Sequence, residues 1–146
     1  MSCLFLLAAM GQLALNWRLL EAAKLGDAEQ LQQLLQSGAN KDATGKNMLC
    51  PGWTSLMFAA EAGHAECVKL LLDAGVDVER RTATGCTALM YAAIDGRAEC
   101  IRLLLDAGAD KAAVNQMGQS AFVFAAMEGH HELLERLDGP HMHPRE

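Results

Sequence analysis

The sequence predicts an all-α protein, a stack of short helix-turn-helix units with projecting turns, and three observations carry that prediction. Ala (25) and Leu (23) supply 48 of the 146 residues, whereas Ile, Val and Thr together supply 12. That imbalance favours helix formers over β-branched residues. Glycines fall on a lattice: Gly52, Gly85 and Gly118 are 33 apart, as are Gly63, Gly96 and Gly129, and also Gly75 and Gly108. Sliding the chain by 33 aligns residues 52–77 with residues 85–110 at 17 of 26 positions. A fixed period of this size marks a stacked repeat array.

Composition narrows the function classes. With 51% apolar residues the chain can build a core, and its length suits one domain. Twelve Lys and Arg against 18 Asp and Glu leave a net charge of −6, which argues against nucleic acid, a polyphosphate that wants clustered positive charge. No run of 18 apolar residues exists, so no membrane span is expected. The five cysteines (Cys3, Cys50, Cys67, Cys86, Cys100) are odd in number and form no CxxC pair, and no Asn-x-Ser/Thr acceptor occurs. The expected compartment is therefore reducing: the cytoplasm, or the nucleus, rather than the secretory route.

Taken in order, residues 1–15 form an apolar N-terminal segment. Cys3–Met10 is an apolar run close to the length of a signal-peptide core, but no Lys or Arg precedes it and the first positive side chain is Arg18. The segment is expected to fold as an extra helix over the first unit, broken near Gly11, because Leu4, Phe5, Leu7, Leu13 and Leu15 would otherwise make a large exposed patch. A detachable tail is the alternative. Residues 16–48 form a divergent first unit, whose Gly26 and Gly38 precede Gly63 and Gly75 by 37. Four residues have therefore entered the loop Lys41–Pro51, a change that closure entropy tolerates. Its second helix is polar outside, with Glu29, Gln30, Gln32, Gln33 and Gln36, as a capping unit should be.

The unit 49–81 shows the pattern best. Thr54 caps a first helix, and Gly63 ends it in a left-handed conformation. A second helix runs from about Ala65 to Asp73 and closes at Gly75. Both are too short to hold alone in water, so Leu56, Ala59, Ala60, Val68, Leu71 and Leu72 must pack on neighbouring units. Polar stretches such as Val76–Cys86 make the projecting turns between units. The unit 82–114 repeats this plan, 115–138 repeats it in part, and 139–146 reads as a tail.

These residues resemble the ankyrin repeat. Its pattern is met by Gly52-x-Thr54-x-Leu56, Ala59-Ala60, Gly63-His64, Leu71-Leu72 and Gly75, and again by Gly85, Thr87, Leu89, Ala92-Ala93, Gly96, Leu104-Leu105 and Gly108-Ala109. Gly118, Ser120, Phe122, Ala125-Ala126 and Gly129-His130 open a further copy. Leu19, Ala22-Ala23, Gly26-Asp27, Leu34-Leu35 and Gly38-Ala39 make an earlier one, so the likeness covers about four repeats over residues 16–138. The family's Pro-Leu-His core reads here as Ser55-Leu56-Met57, Ala88-Leu89-Met90 and Ala121-Phe122-Val123. Losing that His is expected to exchange hydrogen bonds for packing, with a modest loss of rigidity.

The residues that could carry chemistry have plainer readings. Cys67 and Cys100 share a repeat position that Leu133 fills in the next copy, so both read as buried core cysteines. His130, His131, His141 and His143 crowd one region without a nearby Cys, too few good ligands for a structural metal site. His131-Glu132 fails as HExxH, because Glu135 stands where the second His belongs. There is no GxSxG, no GxxxxGK[ST] and no GxGxxG after a strand. No catalytic residue, cofactor or metal is expected.

What remains is surface. The resemblance implies a protein-interaction module, an adaptor or scaffold, that binds a protein partner on its concave face. An inhibitor or regulatory subunit that occludes an enzyme's active site is the alternative. The matching positions are Phe58, Tyr91 and Phe124, with Glu61/Ala62, Ile94/Asp95 and Met127/Glu128 one turn later, and Trp53, Cys86 and Gln119 at the turn tips. Aromatic and Met side chains bury much area for little rotamer entropy, as interface centres require. Alone, such a module is expected to be monomeric.

Overall fold

The structure, a computed structural model, describes residues 2–45 and 51–137. Its helices are α1 (Ser2–Leu25), α2 (Ala28–Gln36), α3 (Ser55–Ala62), α4 (Ala65–Asp73), α5 (Ala88–Ile94), α6 (Ala98–Asp106), α7 (Ala121–Met127) and α8 (Leu134–Leu137), the last entered through a 3-10 turn, His131–Leu133. No strand occurs among the described residues. One antiparallel bridge, Thr44 to Thr54, pinches the loop before α3, and Gly45 N donates to Trp53 O across it at 2.8 Å. The all-α solenoid expected from the glycine lattice is the fold observed.

Two rows of helices make the stack. The inner row packs α1 on α3, α3 on α5 and α5 on α7, while α2, α4 and α6 form the outer row behind it. Small side chains set the inner spacing: Ala22, Ala23, Ala59, Ala60, Ala92, Ala93 and Ala125 are all buried between adjacent helices. Leu31, Leu71, Leu104, Val68, Ile101, Cys67 and Cys100 fill the layer between the rows. Each helix after α1 is too short to persist alone, so this shared burial is what makes it helical.

The inner helices begin alike. Thr54, Thr87 and Ser120 accept hydrogen bonds through their hydroxyls from the backbone N–H of Met57 (3.3 Å), Met90 (3.4 Å) and Val123 (3.3 Å). The methionines complete the motif in an unexpected way. Thr54 N donates to Met57 Sδ at 3.4 Å, and Thr87 N to Met90 Sδ at 3.4 Å, which closes a capping box with a thioether in place of a carboxylate. Loss of the family's His thus does not reduce these positions to packing, because sulfur, though a weak acceptor, satisfies a buried N–H. Val123 has no such atom.

They also end alike, and here the 33-residue period acquires a cause. The ten described glycines with positive φ are the ten lattice glycines. At three of them a hydrogen-bonding side chain of the next unit crosses the same space. His64 Nε2 donates to Lys24 O at 3.1 Å, Arg97 Nε to Glu61 O at 2.9 Å, and His130 Nε2 to Ile94 O at 3.0 Å, each passing over the glycine that ends the preceding helix. A Cβ on Gly26, Gly63 or Gly96 would lie 2.5 Å from the His64 ring, 2.9 Å from Arg97 Cδ or 2.7 Å from the His130 ring. The projecting turns are laced in the same neighbour-to-neighbour way: Asp77 N donates to Asp42 Oδ1 at 3.0 Å, and Asp110 N to Glu79 Oε2 at 2.7 Å.

The N-terminal segment departs from expectation. It is not a separate helix folded over the first unit, nor is it broken at Gly11. Instead α1 runs unbroken from Ser2, extending the inner helix of the first unit. Gly11 is exposed, and a Cβ there would meet no neighbour, so nothing turns the chain at that point. Polar ties brace the extension on one side: Gln12 Nε2 donates to Gly38 O at 3.1 Å, and Asn40 N donates to Asn16 Oδ1 at 2.8 Å. The tail at 139–146 lies outside the described residues.

Two stability predictions follow from helix ends. Gly96→Ala should cost about 1 kcal/mol or more, since it combines a left-handed backbone with a clash against His130. In a double-mutant cycle, Gly96→Ala with His130→Ala should cost at least about 0.5 kcal/mol less than the sum of the single changes; additive urea denaturation energies would show no contact. Met57→Leu preserves volume but leaves Thr54 N unpaired, and should cost roughly 1 kcal/mol. An unchanged urea midpoint for that variant would remove the sulfur from the cap.

Candidate protein-binding surface

Register places the candidate residues. Because α3, α5 and α7 lie side by side with matched caps, Phe58, Tyr91 and Phe124 stand in one row, each half-buried against the core. Trp53, at the foot of its projecting turn, leans onto this row. Its ring lies 4.1 Å from Tyr91 and 5.0 Å from Phe58 between centroids, tilted by 39° and 42° respectively. Such offset contacts add about 0.5–1.5 kcal/mol beyond area burial. The cluster is therefore partly structural and partly open.

Ring contacts join Trp53, Phe58 and Tyr91, and the other three candidates take no part in them among the described residues. No ring contact joins Phe124 to the cluster among the described residues. Ile94 is half-buried at the end of α5, where its carbonyl receives His130. Met127 is 63% exposed, and Gln119 Nε2 donates to its sulfur at 3.7 Å. The Tyr91 hydroxyl donates to Thr82 Oγ1 at 3.2 Å. Burial pushes the Tyr91 phenol above its usual range, and the Thr82 bond works against that rise.

Cys86 belongs elsewhere. The sequence puts it at a turn tip, the position Trp53 holds one unit earlier, yet its side chain is buried, receiving Thr84 Oγ1 at 3.6 Å and Asn115 Nδ2 at 3.5 Å on its sulfur. Cys67 and Cys100 are buried core residues as expected. Burial pushes both thiols up, Cys100 to about 11, so neither is a ready nucleophile. Cys50, His141 and His143 lie outside the described residues. Among those described, no three His, Cys, Asp or Glu side chains gather to hold a metal, and no helix is long and apolar enough to cross a membrane.

Charge near the row comes from helix ends. Glu61 lies in the last turn of α3, and its carboxyl is held above the usual carboxylate range by burial first and by Asp95 second, with Arg97 and Lys24 opposing. Sequence reasoning placed Glu61 and Asp95 along the same face but had no means of seeing that they repel. It missed the sulfur caps and the His64, Arg97 and His130 bonds altogether; equal spacing of those three side chains after a glycine was the available signal.

Comparison with known proteins agrees with this geometry. The family described as ankyrin repeats (3 copies) matches residues 19–115. Ankyrin repeat domain-containing protein 40 of Homo sapiens is 41% identical over 68 residues, 47% of this chain and 18% of that protein. Ankyrin repeat, SAM and basic leucine zipper domain-containing protein 1 of Colobus guereza is 42% identical over 57 residues, 39% of this chain and 11% of that protein. The 2-5A-dependent ribonuclease of Mus musculus is 40% identical over 67 residues, 46% of this chain and 9% of that protein. The chain thus spans less than a fifth of the length of these relatives.

The Glu61 carboxyl yields a pH prediction. A carboxyl whose folded pKa is raised favours the fold below its unfolded pKa, and that favour is lost as pH rises through the folded value. Glu61→Gln should therefore raise Tm relative to wild type at pH 7, with the difference shrinking as pH falls toward 4. A difference that is constant with pH would mean that Glu61 is not strained by Asp95 and burial.

Proposed function

Because this chain belongs to the ankyrin-repeat family, we propose that it is a protein-interaction module holding a protein partner on the concave face made by its inner helices and projecting turns. Ankyrin repeats are in general protein-interaction modules. The observation that carries the choice of face is the Trp53–Phe58–Tyr91 cluster at the foot of a turn, extended along the row by Phe124, with Ile94 and Met127 one turn further on. Half-buried rings braced from behind present area that is already ordered, so a partner loses little further rotamer freedom in covering them. Met127 adds an adaptable, largely exposed side chain at one end of the row.

The partner surface should not be acidic, given the net charge of −6 and the strained Glu61–Asp95 pair on the same face. The module acts by binding, not by catalysis, and works in a reducing compartment such as the cytoplasm. Crosslinking and pull-down from the native cell identifies the partner. If that partner is an enzyme, its activity with and without the module separates an inhibitor from a scaffold.

Once a partner is in hand, Tyr91→Ala with Phe124→Ala should weaken binding by about 2 kcal/mol or more, the hot-spot scale. Far-ultraviolet circular dichroism should stay near wild type. Undiminished affinity in calorimetry, with the fold intact, would move the site off this face.

A further inference from the structure

The N-terminal half of α1 carries a surface that the concave-face reading does not use. Leu6, Met10, Leu13 and Trp17 are 60%, 63%, 62% and 53% exposed, although each is large and apolar. Their spacing of four, three and four residues puts them in one stripe along a helix, the seam spacing of paired helices. Asn16 and Gln12, on the neighbouring side, are occupied by Asn40 and Gly38, so the helix is held in place and the stripe is left facing outward. Leu13 and Trp17 of the stripe also line, with Leu20, Asn40, Asp42 and Arg80, a cleft of about 490 Å³.

We propose that this stripe is a dimerisation surface, on which the α1 helix of a second copy of this chain packs antiparallel, Leu6 against Trp17 and Met10 against Leu13. Three observations favour a second copy. From Ser2 to Trp17 the helix carries no Asp, Glu, Lys or Arg, so two copies meet without like-charge repulsion. Further along α1 the only charged side chains are Arg18, Glu21 and Lys24, a single net positive charge, which falls short of the Lys- and Arg-rich polar face with which a surface helix holds to anionic lipid. At roughly 200 Å² for a fully exposed large side chain, the four residues offer on the order of 500 Å² per copy, so that a pair buries about 1,000 Å², the size at which specific interfaces begin. An antiparallel arrangement follows from charge and symmetry. It sets the two bodies, each with net charge −6, at opposite ends of the helix pair, and it makes one patch self-complementary about a two-fold axis. The proposed dimer stands against the monomer expected from the sequence, and the experiment below decides between them.

Sedimentation velocity on the full chain over a hundredfold concentration range tests the inference. Wild type should pass from monomer to dimer. Met10→Glu and Leu13→Lys, each alone, should weaken the homodimer about a hundredfold, because each leaves two unpaired charges against apolar partners. Mixed in equal amounts, the two variants should form a heterodimer, since the carboxylate introduced at position 10 of one copy then faces the ammonium introduced at position 13 of the other. Circular dichroism of both variants should match wild type, as both positions are solvent-exposed in the monomer. A wild type that stays monomeric throughout would overturn the inference, as would homodimers that survive either change or a mixture no stronger than its components. So would a monomeric wild type that binds vesicles of phosphatidylcholine and phosphatidylserine through this helix.

Discussion

Everything in this fold depends on a vacancy: the missing side chain at the end of each inner helix. Gly26, Gly63 and Gly96 take the left-handed conformation that stops the helix, and into the space above each comes a donor from the next unit, His64, Arg97 or His130. Each donor satisfies a carbonyl that a helix end leaves without an intrahelical partner. The backbone requirement and the neighbour's requirement thus fall on one residue. Alanine pairs then let the inner helices close up, and caps at Thr54, Thr87 and Ser120 start them at one height. The alignment of Phe58, Tyr91 and Phe124 is a by-product of that common height.

How much of this was legible depended on whether the cause was local. Helix α4, Ala65–Asp73, was readable to the residue because its start follows a glycine and its end precedes another. The left-handed glycines were readable because nothing else in a helix end demands that residue type. Cys86 was misplaced, since its burial comes from Asn115 in the following turn, a contact that repeat position alone does not reveal. The thioether caps at Met57 and Met90 escaped notice because sulfur is usually counted as packing material. The unbroken α1 was missed for a different reason: a single glycine in a run of strong helix formers costs only about 1 kcal/mol against Ala, too little to end a helix without a turn signal beside it.

The candidate face shows the same division. Spacing by 33 put Phe58, Tyr91 and Phe124 in one row, but only three-dimensional packing shows Trp53 lying on two units at once. Its ring braces Phe58 of one unit against Tyr91 of the next, so the rings proposed to meet a partner also help to hold the stack. On the proposed binding face, fold and recognition fall to the same residues.

The donors that bridge units reach one unit back and no further, and this gives the chain a mechanical character. Under a load applied along the stack, no such bond among the described residues spans two junctions, so force is carried junction by junction like tension in a chain of clasps. The start of α7 has fewer ties than the starts of α3 and α5. Ser120 lacks the returning sulfur bond, and Val123 and Ala126, whose counterparts Met90 and Ala93 are buried, stand exposed there. Loaded along the stack, such an array is expected to lengthen in steps of one unit, a spring built of separate coils.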